Sequence, residues 1–213
     1  MIKNLIYDFD GVICDSVNIK KDAFLELYKN ENSVIRSQIK KYHLDNGGVS
    51  RFEKIKYFET ILLKKKYSKK SIKVLTDYFG ELVKEKVINS KYINGVLDFL
   101  KINYINSRQF ICTGTPEFEI KEIVKKKEIN YLFNGIFGSP KSKTEIINNI
   151  MIDNSINNSD CIFFGDTMTD YNASIETGIP FIGIKNKNTI FPKDTIIIND
   201  FNDNKLNSIN YEN

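Results

Sequence analysis

The sequence predicts an α/β protein, a doubly wound, mainly parallel sheet covered by helices and interrupted by an inserted helical segment. Three observations carry this expectation. Short, wholly apolar bursts recur along the chain, helical patterns separate the later ones, and from about 17 to 89 the periodicity is helical with no strand-like run.

Leu5-Ile6-Tyr7 opens the series, an apolar run that ends on acidic residues and Gly11 and so reads as a buried strand entering a loop. Similar bursts follow at Phe110-Ile111-Cys112, Gly135-Ile136-Phe137, Cys161-Ile162-Phe163-Phe164, Phe181-Ile182-Gly183-Ile184 and Ile196-Ile197-Ile198, each bounded by Gly, Pro, Asp or Thr. Helices are predicted at about 116–129, opened by Pro116 with Glu117 and Glu119 in its first turn, at about 142–152, and at about 169–177, stopped by Gly178. Continuous apolar strands alternating with helices imply parallel pairing, because parallel neighbours need crossover connections. Within the 17–89 stretch, Ile72, Leu75, Tyr78, Phe79, Leu82 and Val83 form one apolar stripe at helical spacing, which reads as core packing. The segment 199–213 is polar and Asn-rich and is expected to fray.

Composition narrows the class. At 213 residues the chain has room for one core plus a smaller subdomain, and 41% hydrophobic with 27% charged residues is ordinary globular usage. No apolar run approaches the roughly 20 residues that span a bilayer, and no long signal-type segment follows Met1, so a cytoplasmic protein without a membrane partner is expected. Cys14, Cys112 and Cys161 lack metal-type spacing and read as buried thiols, so neither disulfides nor zinc is implied. The net charge of +4 comes from lysines dispersed among glutamates, which argues against a nucleic-acid partner.

The chemistry gathers at predicted strand ends, where open α/β sheets bind ligands. Asp8 and Asp10 stand where the first strand runs out, and residues two apart on an extended chain face the same way. Asp166 and Asp170, in Gly165-Asp166-Thr167-Met168-Thr169-Asp170, form a second acidic pair near a helix start. Clustered carboxylates suit Mg²⁺, a hard cation that takes oxygen ligands and leaves positions for a substrate phosphate. Thr113-Gly114-Thr115 ends another strand with a hydroxyl and open backbone N–H groups suited to phosphate oxygens, and Lys141 and Lys143 bring ammonium groups just before a helix. Taken singly, an Asp-x-Asp in a loop is more often a turn or a helix cap and Thr113 alone is ambiguous; their order and placement together point to phosphate chemistry.

Through Asp8-Phe9-Asp10-Gly11-Val12-Ile13, Thr113, a lysine within 141–143 and Gly165-Asp166-Thr167-Met168-Thr169-Asp170, the sequence resembles the haloacid dehalogenase-like hydrolases over residues 1 to about 185. The resemblance implies a Rossmann-like catalytic core of residues 1–16 plus 90–213 and a helical cap of residues 17–89. It also implies a magnesium-dependent phosphatase in which Asp8 is the nucleophile and Asp10 the general acid-base, with a carboxyl raised by burial. Mg²⁺ would lie among Asp8, the backbone carbonyl of Asp10, Asp166 and Asp170, the last supporting metal or lysine. Thr113, the Gly114 N–H, Thr115 and a lysine would hold the phosphoryl oxygens. Lys143 fits the Ser-Pro-x-Ser-Lys arrangement of related sequences, with Lys141 as the alternative.

In the implied cap, Asn46-Gly47-Gly48-Val49-Ser50-Arg51-Phe52-Glu53-Lys54 either presents Arg51 and Lys54 to the substrate or starts a helix at Ser50 with both cations solvated. His43 reads as a surface or capping residue. The cap segment resembles hydrolases of bacterial surface-polysaccharide pathways, which implies a sugar phosphate or a phosphorylated sugar substituent as the small-molecule partner of a monomer or homodimer. A sugar phosphomutase and a phospho-aspartate receiver domain stay open as other functions; a dehalogenase is disfavoured by Asp10, and a receiver by the long insertion.

Overall fold

Each of the six apolar bursts forms a strand. The computed structural model describes residues 3–208, with β1 at Asn4–Tyr7, β2 at Arg108–Pro116, β3 at Gly135–Ser139, β4 at Cys161–Gly165, β5 at Phe181–Ile184 and β6 at Ile196–Ile198. The helices are α1 (Val17–Leu27), α2 (Ser33–Asp45), α3 (Arg51–Tyr57), α4 (Lys69–Ile88), α5 (Val96–Asn103), α6 (Glu117–Lys126), α7 (Lys143–Asp153) and α8 (Met168–Thr177). The strands pair in the order β3-β2-β1-β4-β5-β6, every neighbouring pair parallel. β1 and β4 lie at the centre of the sheet and are buried along their whole length, as strands covered on both faces must be.

Alternation along the strands divides the apolar side chains between two cores. Leu5, Tyr7, Ile111 and Phe164 face one side, packing with α5, α6 and the inserted helices, while Ile6, Phe110, Cys112 and Phe163 face the other, against α7 and α8. Tyr7 stacks on Phe164 with ring centroids 5.2 Å apart, and its hydroxyl donates to Gln109 Oε1 at 2.8 Å. The Gln109 amide in turn donates to the carbonyls of Leu100 (2.9 Å) and Leu132 (3.0 Å), so a buried polar residue ties α5 and the approach to β3 to the strand between them.

Residues 17–88 contain helices and no strand, as the periodicity predicts. α1 packs on α2 and α4, and α3 runs into a π-helical turn at Phe58–Leu62. An aromatic nest fills the space between them: Phe24 lies 4.1 Å from Phe79 and 5.5 Å from Phe58, and Tyr42 stacks on Tyr57 at 4.0 Å. The chain enters and leaves this insertion through a short ribbon, with Asp15 N–H donating to the Lys91 carbonyl (2.9 Å), Ile93 N–H donating to the Ile13 carbonyl (3.0 Å), and an antiparallel bridge between Cys14 and Tyr92.

Several expectations need adjustment. The helix expected at 116–129 ends at Lys126, where Glu128 takes a positive φ of 58° and the chain turns. β2 is longer than its apolar core, because Thr113-Gly114-Thr115 continue it. α5 has no counterpart in the sequence reading. His43 is not at the surface: it is 4% exposed, under the Phe24 ring at 5.0 Å, because α2 turns that side toward α1. Of the tail expected to fray, Asn199–Ser208 are ordered around buried Phe201 and Leu206, and 209–213 lie outside the described residues. The three cysteines are buried free thiols. Among the described residues no helix is long and apolar enough to cross a membrane.

Gln109→Leu is expected to lower the unfolding free energy by about 1–3 kcal/mol, since it removes the hydrogen bonds that Gln109 gives to two buried carbonyls and accepts from Tyr7. Urea unfolding of the two proteins measures this.

Candidate active site

The site is assembled where β1, β2 and β4 run out along one edge of the sheet. Asp8 follows β1 directly; its N–H still donates to the Phe164 carbonyl at 2.9 Å, so the ladder itself fixes where the carboxylate stands. One Asp8 oxygen accepts from the Phe9 N–H at 2.6 Å and the other meets the Lys143 ammonium at 2.8 Å. Gly11 turns the chain back with φ +81°, and a Cβ there would lie 2.3 Å from an Asp166 oxygen, so only glycine lets the first loop pass the second acidic segment this closely.

Asp166 follows β4 and is buried, with one carboxylate oxygen 3.2 Å from the Asn186 amide, which also donates to the Asp166 carbonyl. Asp170 lies in the first turn of α8. Its Oδ2 accepts from the Thr167 N–H (3.1 Å) and hydroxyl (2.6 Å) in a capping box, and its Oδ1 is ion-paired with Lys143. Asp8, Asp166 and Asp170 each offer an oxygen, all within 4.8 Å of one another. Burial, helped by the neighbouring aspartates, pushes the Asp8 carboxyl up to about 6 and raises Asp166 well above its ordinary value. Burial works against the Lys143 ammonium, but Asp170 and Asp8 outweigh it and raise that group.

Lys143, not Lys141, enters the site. Ser142 is the N-cap of α7, so Lys143 is the first helical residue and is directed inward, whereas Lys141 precedes the cap and is exposed. Thr113 is buried at the end of β2 with its Oγ1 accepting from the Thr115 N–H at 3.3 Å. The Asp10 carboxylate does not join the other three: Ser16 Oγ donates to one oxygen at 2.5 Å, while Lys20 from α1 is ion-paired with the other and donates to Thr115 Oγ1 at 2.7 Å. Burial pushes the Asp10 carboxyl up, but the charge and hydrogen bond of Lys20, with that of Ser16, overcome it, so the group lies below its ordinary value. This reverses the raised carboxyl expected from burial.

The insertion closes over these strand ends. Gly48 brings its carbonyl so near Gly114 that a Cβ there would be 2.6 Å away, and a Cβ on Gly47 would lie 2.3 Å from Thr167 Cγ2. Between the layers is a recess of about 370 Å³, counting its part open to solvent, lined by Asp8, Asp10, Thr113, Lys20, His43 and Lys54 among others. Arg51 and Lys54 are not solvated. Arg51 is buried in an ion pair with Glu119 of α6 and lies 5.0 Å from the Phe79 ring centre; Lys54 is buried 3.0 Å from His43 Nδ1 and 3.2 Å from the Gly47 carbonyl. Ser16, Lys20, Glu119 and Asn186 had no motif to mark them. The only local signal is that Ser16 and Lys20 stand four apart at the start of a helix and so share a face.

Residues 5–184 match the haloacid dehalogenase-like hydrolase family, and the chain belongs to it. Solved structures agree in fold. A β-phosphoglucomutase from Clostridium difficile superposes with a TM-score of 0.76 at 19% identity, over 95% of this chain and 92% of that one. A predicted phosphoglycolate phosphatase from Haemophilus somnus 129pt gives 0.75 at 16% identity, covering 97% of each chain. The HAD-hydrolase YfnB from Bacillus subtilis, whose structure is bound to magnesium, gives 0.72 at 16% identity over 98% of each chain. No curated protein sequence matches.

Buried carboxylates whose folded values exceed their unfolded ones favour the protonated state, so stability is greatest below the unfolded value and declines as pH rises through the folded one. In EDTA Asp8 is therefore expected to take away stability between pH 3.8 and about 6, the span over which it is raised, with Asp166 adding to the loss and Asp10, held below its ordinary value, working against it. Asp166→Asn should flatten that decline and raise the melting temperature at neutral pH; thermal melts across this range test both.

Proposed function

We propose that this chain is a Mg²⁺-dependent phosphatase that hydrolyses a small phosphomonoester through an aspartyl-phosphate on Asp8. The observation that carries the proposal is the Asp8 carboxylate itself, buried at the end of β1, oriented by Lys143 at 2.8 Å and grouped with Asp166 and Asp170 on the edge where Thr113 and Gly114 also end. Family membership supports hydrolysis as the reaction class.

The donor set fits magnesium. Three carboxylates within 4.8 Å, two of them raised by burial and mutual repulsion, are suited to a hard divalent ion, which Asp8, Asp166, Asp170 and the Asp10 carbonyl would hold. When bound, the ion supplies the positive charge that lets the Asp8 carboxylate accept the approach of a phosphate dianion. Attack of an Asp8 oxygen on phosphorus forms the acyl phosphate as the ester oxygen departs. Asp10 gives that oxygen a proton and then takes one from the water that cleaves the intermediate, returning Asp8 as a carboxylate and releasing phosphate. To donate, Asp10 must first be protonated, so its pairing with Lys20 has to loosen when substrate enters. Thr113, the Gly114 N–H and Lys143 stabilise the equatorial oxygens.

Residues 17–89 serve as a cap on a core of 1–16 plus 90–213. The closeness of Gly47 and Gly48 to the strand ends supports a role for this segment in excluding water. The resemblance of 46–54 to hydrolases of surface-polysaccharide pathways supports a sugar phosphate or a phosphorylated sugar substituent as substrate, acted on in the cytoplasm.

Phosphate release from a panel of sugar, polyol and amino-alcohol phosphates, with Mg²⁺ or EDTA, tests the reading. Release is expected to require Mg²⁺ and to vanish in Asp8→Asn; Thr113→Ala should lose on the order of a hundredfold in kcat, and Asp10→Asn roughly a hundredfold or more. A folded protein that releases phosphate from none of these esters overturns it.

A further inference from the structure

The cations around the recess are matched, one by one, with carboxylates: Lys20 with Asp10, Arg51 with Glu119, and Lys143 with Asp8 and Asp170. Lys54 is the exception. It is 2% exposed, yet its partners are a neutral imidazole nitrogen and a backbone carbonyl, His43 Nδ1 at 3.0 Å and Gly47 O at 3.2 Å. Among the described residues no carboxylate pairs with it.

A buried ammonium without a counter-ion is costly, and the charge is tolerated when a bound partner brings the missing anion. Lys54 lines the same recess as Asp8, Asp10, Thr113 and Gly114. The acidic groups at the strand ends are already committed to Lys20, Lys143 and the proposed metal, so the uncompensated positive charge lies on the cap side. Nearby on that side, Phe24 and Phe79 supply apolar walls and Arg51 is neutralised by Glu119. Burial first, then the charge of Lys20, pulls the Lys54 amine down to about 7, more than the charges of Asp10 and Asp8 offset, and an anion beside it would restore protonation.

We infer that Lys54 is the receptor for a second anionic group on the substrate, so that the ester turned over is a compact one carrying a carboxylate or a second phosphate a few bonds from the transferred phosphoryl group. This rests on the phosphatase reading above and narrows its substrate class. Lys54 is then a specificity-determining residue: the cap recognises the far end of the ester by charge while Thr113 and Lys143 hold the near end. Lys54 and Asp8 line one recess, so the two anions they engage are joined by a short connection.

Matched pairs separate the two possible anions and isolate the charge: phosphoglycerate against glycerol phosphate for a carboxylate, and a hexose bisphosphate against the corresponding monophosphate for a second phosphate. Binding to Asp8→Asn by calorimetry and turnover by the wild-type chain are measured with Mg²⁺, then repeated with Lys54→Gln and Lys54→Arg introduced into each, melting temperature serving as the folding check. In one pair the doubly anionic member should be favoured at least about tenfold in Kd and kcat/KM; Lys54→Gln should reduce that preference to about twofold or less, and Lys54→Arg should restore most of it. If neutral esters are bound and hydrolysed as well as their anionic partners, the inference falls and the phosphatase reading stands. If Lys54→Gln weakens both members of a pair equally, Lys54 serves the transferred phosphate and the inference also falls. Preferential, Lys54-dependent binding without hydrolysis supports the subsite and overturns the phosphatase reading.

Discussion

The contact on which the acidic edge depends is the Lys143 ammonium held between Asp8 and Asp170. Three carboxylates within 4.8 Å would repel by roughly 4 kcal/mol per pair at the effective dielectric of such sites. One buried cation at the start of α7 reduces that repulsion by pairing with Asp8 and Asp170, while Asp166 is held by the neutral Asn186 amide. Its position follows from local chemistry: Ser142 and Glu145 form a reciprocal cap, which sets where α7 begins and therefore which lysine is directed inward. The sheet supplies the carboxylates, but a helix start decides how they are balanced.

Asp170 shows how densely roles are combined here. The same carboxylate caps α8 through Thr167, accepts Lys143, and contributes to the acidic group. A helix end, an ion pair and a place in the acidic group thus share one side chain, so geometry at the site is fixed by the same bonds that begin the helix. Lys20 does the corresponding work on the other side, joining α1 of the insertion to Asp10 and Thr115 of the sheet edge.

How much of this the sequence disclosed follows from where each partner lies. The strands were legible because a strand covered on both faces must be apolar throughout, and the acidic residues because they interrupt those runs at their ends. Lys20 and Glu119 were not, because each acquires its meaning from a residue on a distant segment: Thr115 and Asp10 for Lys20, Arg51 for Glu119. Glu119 reads locally as an acidic residue in a helix's first turn, which it also is. The Asp10 carboxyl was misjudged for the same reason, since burial can be inferred from a strand end but a lysine arriving from the insertion cannot. In α2 polar neighbours dilute the apolar stripe that would mark the buried face of His43, while α5, apolar over most of its eight residues, is too short to show a repeating helical stripe.

The ribbon through which the chain passes into and out of the inserted helices has a consequence for how such a molecule can change over generations. Because Asp15 bonds to Lys91 and Ile13 to Ile93, the two ends of the insertion are already joined to each other before either reaches the sheet. Seventy residues or seven could depart from that junction and return to it without moving β1 or β2, the added loop-closure cost growing only with the logarithm of length. The acidic edge is in this sense a fixed socket, and the piece that covers it an interchangeable fitting, free to be lengthened, replaced or re-lined while the aspartates below keep their places.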